Sequence, residues 1–172
     1  AGNELTNTAS ALVAATAAKK DELTKAWNDL AASLPQTVAS IQAKIEELGP
    51  DNVAAFIAEP VQGAGGVIIA PGTYWPEVRR VLEKYDILLV MDEVICGFGR
   101  TGKWFGNIFY GMKPDLMTFA KAVTNGYQPL GGVMVGERVA EVLTTRGGEF
   151  GHGFTYSGHP AACAAGLATL KI

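Results

Sequence analysis

The residue types best placed to do chemistry are two acids and a lysine. Asp92 and Glu93 end an apolar run from Ile87 to Met91, and Lys121 follows a second run from Leu116 to Phe119. A continuous apolar run too short for a helix reads as a parallel strand buried on both faces, so Asp92 emerges at its carboxyl end. Open α/β sheets bind their ligands at that end. Pro114 punctuates the chain before the second strand, which returns Lys121 to the same crevice. An acid and an amine then face one pocket, where a desolvated, neutral amine is free to attack. Taken alone the spacing proves little, because a lysine in an α/β protein is more often a solvated surface group.

The elements around these residues follow from apolar period and punctuation. Residues 1 to 48 are alanine-rich, and Leu23, Trp27, Leu30, Leu34, Val38, Ile41, Ile45 and Leu48 recur at helical spacing. Pro35 breaks this pattern and Ser33 can cap a second helix, which ends at Gly49-Pro50. This leader is expected to pack as a helical hairpin, or else to offer its apolar stripe as an interaction surface. From Val53 to Ala58 runs a compact strand that releases Glu59-Pro60 and a glycine-rich loop from Gln62 to Gly66. A ligand can approach that backbone closely, whereas Glu59 can equally cap the loop. A helix from Pro76 through Tyr85, with Val78, Val81 and Leu82 inward, joins this strand to the one from Ile87 as a right-handed βαβ unit. After Lys121 come turns at Asn125-Gly126 and Gln128-Pro129, a strand from Val133 to Val135 and a helix from Glu137 to Thr144. A loop from Gly147 to Gly153 leads to Thr155-Tyr156-Ser157-Gly158, and the helix after Pro160 presents Ala, Cys and Leu to the core. Hydroxyls and backbone amides near Thr155 suit an anion such as phosphate, although turn formation and capping account for them as readily.

Composition excludes several classes. With 172 residues, 48% hydrophobic and 18% charged, the chain reads as globular and large enough for one core. A net charge of −3 and no basic cluster leave no footprint for nucleic acid. No apolar stretch reaches the roughly 20 residues of a membrane span, and Glu4 stands where a signal peptide needs positive charge, so a cytoplasmic setting is expected. Cys96 and Cys163 lack ligand or disulfide spacing and read as reduced thiols, and neither His152 nor His159 sits in a metal-ligand pattern. Gly97 to Gly102 formally satisfies GxGxxG, but Lys103-Trp104-Phe105 follows where a dinucleotide site needs a helix. The chain starts at Ala and ends on LATLKI without a terminator, as a fragment or processed chain would.

Four stretches, AAFIAEPVQGAGGVI, TYWPEVRRVLEKYDILLVMDEVICGFGRTGKWFG, KPDLMTFAKAVTNGYQPLGGVMV and GGEFGHGFTYSGHPAACAAGLATL, closely resemble in content and order the class III aminotransferases that use pyridoxal phosphate (PLP). The resemblance is to those acting on ω-amino acids and polyamines. It runs from about Ile41 to Ile172, so residues 1–40 are a helical leader without it and 41–172 look like part of the large PLP-binding domain. It implies an α/β fold, mostly parallel sheet with flanking helices, of the type I PLP-dependent transferases. It also implies transfer of an amino group from a diamine or ω-amino acid to pyruvate or a similar keto acid, in a homodimer of a longer parent. Lys121 in DLMTFAK looks like the Schiff-base lysine, Asp92 in MDEV like the partner of the pyridine nitrogen, and Val94 like the residue packed behind the ring. Thr155 in GFTYSGHP resembles the hydroxyl residue that reaches the neighbouring subunit's cofactor phosphate, and Glu59 and Gln62 match positions near the site. Ala122 departs from the glycine that usually follows the lysine. The family's glycine-serine phosphate cup, its ring-stacking aromatic and its small domain fall outside the matching text. A truncated, non-catalytic domain or helical interaction module, and another class III chemistry such as an aminomutase, stand as alternatives.

Overall fold

The computed structural model describes residues 18–22, 24, 25, 29 and 36–172. The chain divides into two compact units, Ala1–Ala43 and Lys44–Ile172. All the described residues up to Gln36 are helical, and residues 36–48 form one helix (α1). In the first unit Val38 is buried and Lys19 pairs with Glu22 on the surface at 3.1 Å. The break expected at Ser33 and Pro35, and the stripe residues Leu23, Trp27, Leu30 and Leu34, lie outside the described residues. In the second unit α1 stops at Leu48, where Gly49 takes φ 82° and turns the chain into a 3-10 turn, Pro50–Asn52.

The second unit is built on a four-stranded sheet. Its strands in chain order are β1 (Ala55–Ala58), β4 (Leu88–Asp92), β5 (Leu116–Phe119) and β6 (Gly132–Val135), and they lie side by side in that order. β1, β4 and β5 are parallel, with Ala58 opposite Met91 and Asp92 opposite Thr118. β6 runs antiparallel on the edge, with Phe119 opposite Gly132, because the 3-10 turn and the turn at Asn125-Gly126 fold the chain straight back. The result is the expected mostly parallel α/β sheet with flanking helices. Between β1 and β4 the glycine-rich loop lies within a small hairpin, β2 (Val61–Gln62) with β3 (Ile68–Ile69). The glycines thus turn a hairpin, their φ freedom used at Gly66, φ 119°.

Alternation along the strands separates two faces. Leu89, Met91 and Met117 share the buried face, whereas Leu88, Val90 and Leu116 on the other are only half-buried and Ile57 is 62% exposed. Burial on both faces, expected of the run from Ile87, therefore holds for one, because the described residues provide little cover for the other. The helix α2 (Tyr74–Lys84) starts two residues before Pro76 and buries Trp75, Val78, Val81 and Leu82. Proline sits in its first turn, where no internal partner is lost. Beyond the sheet lie α3 (Gly106–Phe109), α4 (Glu137–Arg146) and α5 (Pro160–Thr169). α5 buries Ala162 and Gly166, while Leu167 and Leu170 are 60% and 48% exposed, contrary to the expected inward leucines. Its small-residue face is the one that fits: a Cβ on Gly166 would lie 2.9 Å from Leu130. Among the described residues no helix is long and apolar enough to cross a membrane.

Candidate active site

Three parallel strands end side by side and release three ionisable residues at the same sheet edge. β1 leads into Glu59, β4 ends on Asp92, and β5 is followed two residues later by Lys121. This is the carboxyl-end crevice anticipated for an open α/β sheet. Asp92 is still in the ladder, and one further bond from Glu93 N–H to Thr118 O, 3.0 Å, prolongs the pairing past it. Its Oδ1 accepts from Thr118 Oγ1 at 3.0 Å and from Val94 N at 3.1 Å. Neither bond uses Oδ2, which has no hydrogen-bond partner among the described residues. The carboxylate is half-buried, as is Val94, whose backbone thus helps to set it.

Lys121 is placed by an unusual backbone. Ala120 is extended, and Lys121 then adopts φ 49° and opens the 3-10 turn Lys121–Thr124. A left-handed conformation costs an L residue about 1–2 kcal/mol, so it persists only where neighbours hold it. Here Val123 and Thr124 are buried, and Thr124 Oγ1 donates to Gln128 O at 2.5 Å. Ala122 is half-buried in the same turn. The side chain of Lys121 is exposed, whereas a desolvated pocket was expected, because no described element covers it.

Glu93 has a different task from its neighbour. Its side chain is fully buried, and its carboxylate accepts from Gly106 N at 2.8 Å and Asn107 N at 2.5 Å, the orphan donors at the start of α3. Burial pushes its carboxyl above the usual range; the two backbone N–H groups oppose that rise and nearby Asp92 adds to it. Glu93 thereby ties down the loop that begins at Gly97. Phe98, Gly99 and Gly102 in this loop have φ 58°, 98° and 78°, and the helix starts only at Gly106, so the GxGxxG match is a series of turns.

The remaining expected residues are more dispersed. Glu59 accepts from Gly63 N at 2.9 Å and so caps the hairpin loop, while Gln62 is exposed. Thr155 is exposed on a turn and bonds to neither Asp92 nor Lys121. In that turn Ser157 Oγ accepts from Phe154 N at 2.9 Å, and His159 Nδ1 accepts from Ala162 N at the start of α5, at 3.4 Å. His152 lies between the rings of Phe150 and Phe154, at 6.0 and 5.4 Å. Cys96 is buried and Cys163 half-buried, both free thiols. The described residues contain no cluster of metal-ligating side chains. Two cavities of about 530 and 670 Å³ flank the loop after Gly97; the first is lined by Ala122, Asn125 and Trp104, the second by Ile95, Arg100 and Thr101. Neither is lined by Asp92 or Lys121.

One participant, Thr118, and the role of another, Glu93, were missed in the sequence. Thr118 is visible only once the register sets it opposite Asp92. Glu93 as a cap is visible only once α3 is known to begin at Gly106, although an acid directly behind a strand is a signal worth following.

The family description "Aminotransferase class-III" matches residues 5–172, starting well before the text resemblance at Ile41. The putrescine–pyruvate aminotransferase of Pseudomonas aeruginosa is 62% identical over 132 residues, which are 77% of this chain and 29% of that protein. An (S)-enantioselective omega-transaminase from Thermomicrobium roseum superposes with a TM-score of 0.78 at 53% identity, over 83% of this chain and 32% of its own. An amine transaminase from an uncultivated Pseudomonas species, solved with PLP bound, gives a TM-score of 0.78 at 46% identity, over 82% of this chain and 32% of its own. The chain thus spans about a third of the length of these relatives.

Proposed function

Because the chain belongs to the class III aminotransferases, we propose that it carries the cofactor-anchoring centre of a PLP enzyme moving an amino group from an ω-amine to pyruvate or a similar keto acid. The observation that carries this reading is the juxtaposition at the strand ends: a carboxylate fixed through one oxygen on β4, and a lysine in a held, left-handed conformation behind β5. The fit to PLP rests on the same donor set. The ring nitrogen needs an anionic acceptor, and Asp92 keeps Oδ2 available while Thr118 and Val94 occupy Oδ1. A covalent anchor needs an accessible amine, and Lys121 is exposed.

Bound PLP supplies an electron sink for the carbon that loses its proton. The protein's part is to hold and to move protons. Asp92 would stand beside the ring nitrogen, where a carboxylate favours the protonated form of that nitrogen. Lys121 Nζ is the covalent anchor and, once released, the proton carrier. Val94 would pack behind the ring. The hydroxyl of Thr155, exposed on its turn, is assigned to the cofactor phosphate of a second subunit, which makes the complete site a property of a homodimer. Residues 41–172 are then part of the PLP-binding large domain of a cytoplasmic enzyme.

The substrate class is inferred from the putrescine–pyruvate relative and the omega-transaminases. Substituting the 132-residue matching segment into the Pseudomonas aeruginosa enzyme tests it. The chimera should form alanine from putrescine and pyruvate, and Lys121→Ala within the segment should abolish this. A folded chimera that binds PLP but keeps its activity after Lys121→Ala would refute the assignment.

A further inference from the structure

Asp92 and Thr118 form a side-chain pair across neighbouring parallel strands, and the pair is not needed to hold those strands together. The ladder beside them is already closed, since Glu93 N donates to Thr118 O at 3.0 Å. Asp115 N bonds Leu89 O at the other end of β4, at 2.9 Å. Among the described residues the Thr118 hydroxyl has one partner, Asp92 Oδ1 at 3.0 Å. That oxygen also takes Val94 N, at 3.1 Å. Two donors on one carboxylate oxygen hold the plane of the group and leave the other oxygen as the acceptor. With the hydroxyl removed, a single backbone N–H remains and the carboxylate can swivel. The other ionisable groups at this sheet edge are Glu59 after β1, Glu93 behind Asp92 and Lys121 after β5; Glu59 and Glu93 are committed to backbone N–H groups.

We propose that Thr118 is a positioning residue for PLP binding: its Oγ1–H fixes Asp92 through Oδ1, so that Oδ2 is presented to the ring nitrogen. The proposal rests on the PLP reading above and adds to it a residue whose hydroxyl, among the described residues, bonds only Asp92. Valine at this position keeps the β-branched shape of threonine but loses the donor, whereas serine keeps the donor and loses a methyl.

The test uses the chain itself, with PLP as the probe. Each variant is equilibrated with increasing PLP and reduced with borohydride, and peptide mapping gives the PLP concentration that half-saturates Lys121, with exposed Lys113 as the internal reference. Thr118→Val should raise the half-saturating concentration about tenfold, the order expected when one charge-assisted hydrogen bond is lost. Thr118→Ser should stay within about threefold of the parent, and Thr118→Ala should repeat the loss should the valine variant fail to fold. Asp92→Asn should weaken labelling by itself, and Thr118→Val should add nothing in that background. Parent-like saturation in folded Thr118→Val, or an undiminished further loss on top of Asp92→Asn, would overturn the inference while leaving the PLP reading standing. A parent chain that labels Lys121 no better than Lys113 would overturn that reading and this one with it.

Discussion

Replacing Glu93 tests whether the loop flanking the site is anchored by one buried carboxylate. In Glu93→Ala the N–H groups of Gly106 and Asn107 both lose their acceptor, in a place where Glu93 itself is fully buried. A buried donor left unpaired costs about 1–3 kcal/mol. Two of them put the loss at about 2–6 kcal/mol. Against a total of about 5–15 kcal/mol for an ordinary domain, the variant should be close to unfolding. Glu93→Gln keeps one acceptor and turns an amide N–H toward the other donor, so it should lose about 1–3 kcal/mol. The pH dependence has a definite sign. Burial raises the Glu93 carboxyl above its unfolded value, so its favourable contribution is complete below about pH 4.3 and is lost as pH rises through the raised folded value. Glutamine does not titrate, so the gap between the parent and Glu93→Gln should be widest near pH 4 and narrow toward pH 7. Urea unfolding followed by circular dichroism at both pH values measures this. A loss below about 1 kcal/mol in Glu93→Ala, or a gap that widens with pH, would refute the reasoning.

Gly106→Ala should destabilise by about 1–3 kcal/mol, because its Cβ would lie 2.7 Å from Pro60 Cβ and 3.1 Å from Cys96 Cβ, and a proline ring cannot rotate aside. A thermal melt reads this, and an unchanged midpoint would mean that Pro60 and Gly106 are less closely packed than described. The chain alone should bind PLP weakly and transfer no amino group from putrescine to pyruvate, since Lys121 is exposed and Thr155 would act only across a dimer. Losing two charge-assisted phosphate contacts is enough to weaken binding on the order of a hundredfold or more. Absorbance titration with PLP, followed by an alanine assay, checks this; tight saturation with turnover would show that the chain completes its own site.

What could be read before folding was the part that local rules control. The run from Ile87 became β4, Leu116 to Phe119 became β5, and the helix between strands buried Val78, Val81 and Leu82 as its period required. Asp92 and Lys121 were therefore placed at neighbouring strand ends by period and punctuation alone. The unread part depends on register and on three-dimensional neighbours. Thr118 meets Asp92 because β4 and β5 pair as Asp92 with Thr118, and a shift of one residue would turn the threonine to the opposite face. Glu93 looked like a second site acid; only the position of Gly106 and Asn107 turns it into an internal cap. Exposure was the least legible property. Leu167 and Leu170 satisfy a helical apolar period yet face outward, since α5 packs through Ala162 and Gly166. Lys121 is exposed for a similar reason: what would desolvate it must come from elements that the described residues do not include.

The amine behind β5 is proposed as the cofactor anchor, working with the carboxylate on β4. The most direct measurement is reduction of the PLP-treated chain with borohydride, followed by mass mapping of every lysine peptide. The account predicts a pyridoxyl group on Lys121 ahead of all other lysines, with that preference lost in Asp92→Asn. Label on Lys103 or Lys113 with Lys121 unmodified would contradict it.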